Sequence, residues 1–312
     1  MGTNRFIQGD TKMIILCFVL SLIPFFIWLW VFYHKDPEDR RLTVETVLGG
    51  MISVLPLAAL QAYMLKNPAW DIFAHIKSIN LTGVINFFGI PGQYHEVFHR
   101  NMTWFLVFIA IAIMEELVKH WVVKYMDYRS KNFDSVDDGI EFSVIAALGF
   151  ALVENTVYFF TILTMQGYAA LLIPFIFRSL FSTLAHVFFS GVFGYHYGLA
   201  KFAPEEMDEK VKMGRKFFLM RFFRKYLHIR PEWIFKEEEV GDGLFLAMLF
   251  HAIFNFLLFL ELTYLIVPYL AVGYWYLSYE MSLGRNKHRW SKDEQEKCAE
   301  ELKILETVGR QI

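Results

Sequence analysis

Acidic, basic and amide side chains recur within stretches of this chain that are otherwise apolar. The run IAIMEELVKHWVV holds Glu115, Glu116, Lys119 and His120. Three later apolar runs hold polar groups of the same kinds: Glu154, Asn155 and Tyr158, then Arg178, Ser182 and His186, then His251 and Asn255. Such groups are costly in hydrocarbon and mark functional sites there. Together they offer a base for water, a proton donor or metal ligand, and an oxyanion stabiliser, which is what hydrolysis requires.

The spacing of these residues predicts that they face one another. Residues four apart share one face of a helix, and four such pairs occur: Glu115 with Lys119, Glu154 with Tyr158, Ser182 with His186, and His251 with Asn255. Each pair would make a one-sided polar stripe, so we expect the stripes to point into a bundle. The adjacent glutamates diverge by about 100° around the helix axis. One of them is therefore expected to reach the site, while the other pairs with Lys119 or Arg178.

Two versions of the chemistry use the same residues. In a zinc version, His186, His251 and a glutamate, assigned here to Glu116, would be ligands and leave a position open for water. In a metal-free version, a glutamate and a histidine would activate water, while His251 and Asn255 hold the oxyanion. The sequence lacks an HExxH motif. It leaves both versions open.

The composition is that of an integral membrane protein. The chain has 312 residues, of which 55% are hydrophobic and 18% aromatic. The apolar residues gather in runs of about twenty, the length that crosses a bilayer as a helix. The net charge is -2, with Lys and Arg concentrated in a few loops, so nucleic acid is not an implied partner. Cys17 and Cys298 lie far apart and form no CxxC pattern, which supports neither a disulfide nor a thiolate metal site.

The apolar runs predict an all-α, multi-pass bundle of about seven spans in the cell membrane. The predicted spans are Met13 to Tyr33, Val44 to Leu65, Met102 to Val123, Gly139 to Leu163, Ala169 to Leu199, Gly243 to Leu260, and Thr263 to Tyr279. The fifth is longer than a bilayer requires and carries Pro174 and Arg178, so a kink, tilt or broken entry is expected there.

The distribution of basic residues predicts the orientation and the division of the chain. Because cytoplasmic loops carry excess Lys and Arg, the N-terminus and the loop 66–100 are expected outside, and the segment 201–239 and the C-terminal tail inside. Residues 1–101 would then form two spans and an outer loop. Residues 102–260 would form a catalytic four-helix core with a cytoplasmic insertion at 201–240, and residues 261–312 the last span and tail.

The order of the motifs resembles the PrsW family of intramembrane proteases, over roughly residues 110–260. The resemblance is carried by four motifs on four successive spans: Glu115-Glu116-x-x-Lys119; Asp138-Gly139-Ile140 leading into Gly149-Phe150-Ala151 and Glu154-Asn155-x-x-Tyr158; Arg178 ahead of His186; and His251-x-x-x-Asn255. The family is similar in turn to the CAAX prenyl protease and bacteriocin-processing superfamily.

The resemblance implies roles for these residues and a class of substrate. Glu115 or Glu116 would activate water, His186 and His251 would be ligands or catalytic partners, and Asn255 would stabilise the oxyanion. Glu154 joins the catalytic set, whereas Lys119, Asn155, Tyr158 and Arg178 are expected to be structural or charge-balancing. The substrate would be a membrane protein or peptide within the lipid bilayer, and the family's best-known case is an anti-sigma factor.

Two other hypotheses fit the same buried residues. A transporter or proton-coupled permease also uses buried Glu, His and Arg as an ion relay. Such proteins usually show two related halves with interrupted helices at corresponding places, and this sequence shows no such repeat. The third hypothesis is a non-catalytic member of the family that binds a membrane partner.

Overall fold

The described part of the chain is all-helical. The computed structural model describes residues 2–32, 40–126, 133, 135–202, 231–279 and 282. The helices are α1 (Gly2–Phe32), α2 (Arg40–Ile52), α3 (Val54–Lys66), α4 (Ile72–Lys77), α5 (Thr82–Phe87), α6 (His95–Met126), α7 (Val136–Gln166), α8 (Leu172–Phe177), α9 (Thr183–Lys201), α10 (Pro231–Phe259) and α11 (266–279). Short 3-10 turns lie at Pro68–Trp70, Gly92–Tyr94, Tyr168–Ala170 and Thr263–Leu265. The predicted all-α class is confirmed.

Five helical segments are long and apolar enough to cross a membrane. They are Thr11–Phe32, Arg40–Lys66, Val136–Gln166, Tyr168–Lys201 and Ile234–Phe259. These segments match five of the seven predicted spans and make the chain a multi-pass membrane protein. The other two predicted spans fall on α6 and α11, which are not among the five. The total of seven therefore stays a prediction, as do the orientation and the three-part division of the chain.

The second predicted span is interrupted. It was expected to be one helix from Val44 to Leu65, but α2 ends at Ile52 and α3 begins at Val54. Pro56 has no backbone N–H to donate to the carbonyl of Ile52, which removes a helical hydrogen bond at this point. At the same point the Ser53 hydroxyl donates to the carbonyl of Gly50 at 2.7 Å.

The irregular entry predicted for the fifth span is present. Between α8 and α9, residues Arg178–Ser182 form a π-helical turn. Such turns are rare in proteins as a whole, and those that occur are frequently at functional sites. The Trp28 indole N–H of α1 donates to the carbonyl of Ser179 at 2.8 Å. The Thr183 hydroxyl donates to the carbonyl of Arg178 at 2.9 Å. Both hydrogen bonds satisfy carbonyls within this turn.

Helix α7 lies at the centre of the bundle. It packs against α1, α2, α6 and α9, and α10 packs against α6 and α9. The contact between α7 and α9 is close because glycines meet there: a Cβ added at Gly139 would lie 2.4 Å from the carbonyl oxygen of Gly194. Helices α6, α7, α9 and α10 carry the polar residues predicted to form the site, so this packing decides whether they meet. The predicted cytoplasmic segment 201–240 and the tail lie largely outside the described residues.

Candidate functional site

Polar residues from four helices line one pocket in the bundle. Its walls include Glu115 from α6, Glu154 and Tyr158 from α7, His186 from α9, and His251 and Asn255 from α10. Arg178 and Ser182 of the π turn also line it. The pocket has a volume of about 100 Å³. Three of the four predicted stripes, those led by Glu154, Ser182 and His251, thus face the same space. Of the fourth stripe, Glu115 with Lys119, only Glu115 lines the pocket.

His251 is held by the two glutamates of α6. Its Nδ1 lies 2.8 Å from Oε1 of Glu116, and its Nε2 lies 3.7 Å from Oε2 of Glu115. The ring stacks on Phe189, with the centroids 5.0 Å apart. Since a carboxylate only accepts hydrogen bonds, Nδ1 must donate, and a neutral imidazole then presents the lone pair of Nε2 toward Glu115.

Lys119 is buried between Glu116 and His186. Its Nζ donates to Oε1 of Glu116 at 2.7 Å and lies 3.0 Å from Nδ1 of His186. The ammonium also lies 4.6 Å from the centroid of the Phe150 ring. Glu116 is therefore the glutamate that pairs with Lys119, one of the two partners that the sequence predicted.

Glu115 differs from its neighbour in its surroundings. Its Oε2 is buried and has no hydrogen-bond partner among the described residues. The two glutamates are thus separated into one that is neutralised by a lysine and one that faces the pocket. This is the division expected from the angle of about 100° between adjacent helical residues.

His186 contacts charged groups through both ring nitrogens. Nδ1 faces the Lys119 ammonium at 3.0 Å, and Nε2 lies 2.8 Å from Oε2 of Glu154. An ammonium can only donate, so Nδ1 accepts, and the proton of the neutral ring lies on Nε2 toward the carboxylate. Glu154 is in turn 2.9 Å from Nη2 of Arg178 through its other oxygen.

Arg178 is fixed by a second set of contacts that includes a residue not predicted from the sequence. Its Nε donates to Oδ1 of Asn155 at 2.6 Å, and its guanidinium lies 4.4 Å from the centroid of the Tyr158 ring. The Asn155 amide donates to the hydroxyl of Thr183 at 3.1 Å. Arg178 thus forms an ion pair with Glu154. Thr183 could not be singled out from the sequence, because a threonine within an apolar helix is common.

His120, which belongs to the same run as the glutamates, does not line the pocket. Its ring packs edge-on against Phe193 and Tyr197, at centroid distances of 4.9 Å and 5.2 Å. The side chain is buried. This histidine therefore contributes to the packing between α6 and α9.

The pocket residues fit a divalent metal ion. Glu115, His186 and His251 each offer one ligand atom, and these atoms lie within 4.8 Å of one another. Zinc held by nitrogen and oxygen at about 2.0–2.1 Å in tetrahedral geometry separates its ligand atoms by roughly 3.4 Å. The three ligand atoms, which lie within 4.8 Å of one another, would have to move closer together to hold it. The bond from His251 Nδ1 to Glu116 resembles the carboxylate–histidine pairing that orients ligands in zinc proteins. The geometry favours Glu115 over Glu116, the glutamate assigned from the sequence, as the third ligand.

Comparison with known proteins identifies the family. The model of the PrsW family intramembrane metalloprotease matches residues 38–223, which is more than half of the chain. This region contains Glu115, Glu116, Glu154 and His186, whereas His251 lies beyond it.

Several curated relatives are each called Protease PrsW. The protein of Geobacillus kaustophilus is 34% identical over 148 residues, which is 46% of this chain and 60% of the relative. That of Clostridioides difficile is 25% identical over 254 residues, which is 80% of this chain and 82% of the relative. That of Bacillus subtilis is 23% identical over 163 residues, or 50% of this chain and 71% of the relative. This chain thus spans less than two thirds of the Geobacillus protein.

No solved structure matches this chain. The family match extends over α6, α7 and α9, three of the four helices that build the pocket, and the resemblance predicted from the motifs is confirmed. The chain belongs to the PrsW family of intramembrane metalloproteases.

Proposed function

We propose that this protein hydrolyses peptide bonds of membrane-anchored proteins in the pocket between α6, α7, α9 and α10. The observation that carries the proposal is the convergence of Glu115, His186 and His251, whose ligand atoms lie within 4.8 Å of one another. Three helices supply these groups, and burial at this site would be costly without a use. The family assignment supports a peptidase over a transporter.

Each residue of the pocket has a role in the proposed reaction. Glu115, whose Oε2 has no partner among the described residues, would face the attacking water. His251 would be held in one tautomer by Glu116, and its Nε2 would point to the same water. Asn255 lines the pocket one helical turn further along α10 and would donate its amide to the oxyanion.

His186 is placed to transfer a proton. It lies between the Lys119 ammonium and the Glu154 carboxylate. Without a metal, it would give its Nε2 proton to the leaving amine while Nδ1 takes a proton from Lys119, and the proton that Glu115 removes from water would be returned to Lys119. Arg178 neutralises Glu154 in this arrangement.

We propose zinc as the metal that Glu115, His186 and His251 would hold. When bound, it would supply Lewis acidity that activates water and polarises the scissile carbonyl. In that version Glu115 and His251 would be ligands, and His186 would be the third ligand through one ring nitrogen, in place of its contact with Lys119 or with Glu154.

The proposed substrate is a membrane protein with a single span, such as an anti-sigma factor. Helices α7, α9 and α10 belong to membrane-crossing segments, so a site between them suits a substrate chain that is already in the bilayer. The catalytic core would correspond to residues 102–260, as the sequence predicted.

The proposal is tested with purified protein in lipid vesicles and a single-span reporter substrate. We expect cleavage by the wild type and none by His186→Ala or His251→Ala. His75→Ala is the control, because His75 is exposed on α4 and does not line the pocket. Persistence of cleavage in both site variants would reject the proposal.

Metal analysis of the same preparations tests the zinc version separately. We expect zinc to copurify with the wild type and to be reduced in His251→Ala, while His75→Ala retains it. Full cleavage by a preparation that has been stripped of metal would favour the metal-free chemistry of the same residues.

A further inference from the structure

The segment between α3 and α6, residues 67–94, exposes several large apolar side chains. Trp70 is 68% exposed, Phe87 83%, Phe88 64% and Tyr94 53%. In contrast, Leu81 and Ile85 of the same segment are 6% and 5% exposed. The segment is therefore folded with an inner apolar side, yet it keeps aromatic residues on its surface. Clusters of exposed aromatic residues are typical of surfaces that meet a membrane or a partner.

Helix α5 within this segment is two-sided on its exposed surface. Thr82 and Asn86 are exposed and lie near one another around the helix, at about 100° per residue. Val84 and Phe87 are also exposed and lie on the other flank. The exposed surface of α5 thus has a polar flank and an apolar flank, as in helices that lie along a membrane surface.

The position of the segment relative to the membrane follows from its contacts with α6. Helix α4 packs against α6, and Nζ of Lys77 lies 4.6 Å from the centroid of the Trp104 ring. The Trp104 ring lies 5.3 Å from the ring of Phe259. Phe259 is the last residue of the membrane-crossing segment Ile234–Phe259. The segment therefore folds back to the level at which a span ends.

Exposed positive charges within and beside the segment suit lipid headgroups. Lys66, Lys77 and Arg100 are all exposed, and lysine or arginine at the end of a span is attracted to lipid phosphates. The carboxylate of Asp71 accepts from the backbone N–H of Ala74 at 3.1 Å, so this acid caps α4.

We propose that residues 67–94 form a lipid-binding collar that lies in the membrane interface. The apolar flank of α5, with Phe87 and Phe88, would contact the upper acyl chains, and Lys77 would contact lipid phosphate. Thr82 and Asn86 would face water. The collar would hold the beginning of α6, and with it Glu115, at a fixed depth. The inference is independent of the proposed proteolysis.

The depth of single spin labels tests the collar. Labels would be placed by Phe87→Cys, Val84→Cys and the control Asn86→Cys, in a Cys298→Ser background. Cys17 is 0% exposed and does not compete for label. The protein would be reconstituted in vesicles of phosphatidylcholine and phosphatidylglycerol. Collision of each label with oxygen, which concentrates in lipid, is compared with collision with a water-soluble nickel complex.

We expect the labels at 84 and 87 to collide with oxygen severalfold more than with nickel, at a depth of roughly 5–10 Å below the headgroups. The label at 86 should show the reverse preference. If the labels at 84 and 87 prefer nickel as strongly as the label at 86, the collar lies in water and the proposal is wrong. If they are shielded from both reagents, a protein surface covers them, and the proposal is equally rejected.

Discussion

Nδ1 of His251 lies 2.8 Å from Oε1 of Glu116, although the two residues are 135 positions apart in the sequence. This bond joins α6 to α10 and decides which nitrogen of His251 faces the pocket. The same oxygen of Glu116 accepts from Lys119 at 2.7 Å. We therefore propose that Glu116 positions His251, whereas its neighbour Glu115 faces the pocket.

The two glutamates should respond differently to the same substitution. Glu116→Gln removes the charge that balances Lys119, and breaking a buried ion pair costs about 3 kcal/mol or more of stability. Glu115→Gln should leave the free energy of unfolding nearly unchanged, because Oε2 of Glu115 has no hydrogen-bond partner among the described residues. Thermal melting of both variants in the same detergent measures this. Equal losses of stability would contradict the division of roles.

Replacing Lys119 should disturb His186 through Nδ1. Lys119→Met removes the donor to His186 and leaves Glu116 without its counter-charge, so we expect both lower stability and a lower kcat with KM little changed. The double variant Glu116→Gln with Lys119→Met removes both charges. It should recover part of the stability, with a coupling energy of about 1–3 kcal/mol. Additive losses would show that the pair is not coupled.

The contacts around Arg178 should stabilise the π turn. Thr183→Val removes the hydroxyl that accepts from Asn155 and donates to the carbonyl of Arg178. Loss of these buried hydrogen bonds should cost about 1–3 kcal/mol and slow cleavage, since Arg178 also faces Glu154. Thr183→Ser keeps the hydroxyl and serves as the matched control. A Thr183→Val variant that is as stable and active as Thr183→Ser would contradict this account.

The close packing of α7 on α9 should tolerate no added methyl group. A Cβ at Gly194 would lie 2.3 Å from the carbonyl oxygen of Gly139, so Gly194→Ala must push the helices apart. Because these helices carry Glu154 and His186, we expect a loss of about 1–3 kcal/mol in stability and of activity. Gly241→Ala in α10 is the control, since nothing lies within 4 Å of its added Cβ. Equal behaviour of the two variants would show that the contact is not critical.

Much of the pocket could be predicted from the spacing of polar residues in apolar runs. Glu154, His186 and His251 each line it together with the residue four positions further on or back, since a helix repeats every 3.6 residues. The angle between adjacent residues also indicated that one glutamate would pair elsewhere, with Lys119 or Arg178, and Lys119 is the partner found. Both predictions depend only on local helix geometry.

Other features depend on contacts between helices that a single sequence does not specify. The sequence could not decide that Glu115 rather than Glu116 faces His186, because this depends on how α6 is rotated against α9 and α10. Pro174 predicted an irregular entry to the fifth span but not the π turn that follows it. The break at Ser53 was missed, although Pro56 was a local signal for it.

The cleavage rate of Glu115→Gln tests the central claim most directly. The measurement uses wild type, Glu115→Gln and the control Glu96→Gln, which alters an exposed glutamate in the first turn of α6. All three are reconstituted in vesicles with one single-span substrate, after melting curves show that each is folded. We predict that Glu96→Gln cleaves at the wild-type rate and that Glu115→Gln is slower by about 100-fold or more. Cleavage by folded Glu115→Gln at the wild-type rate would contradict the account.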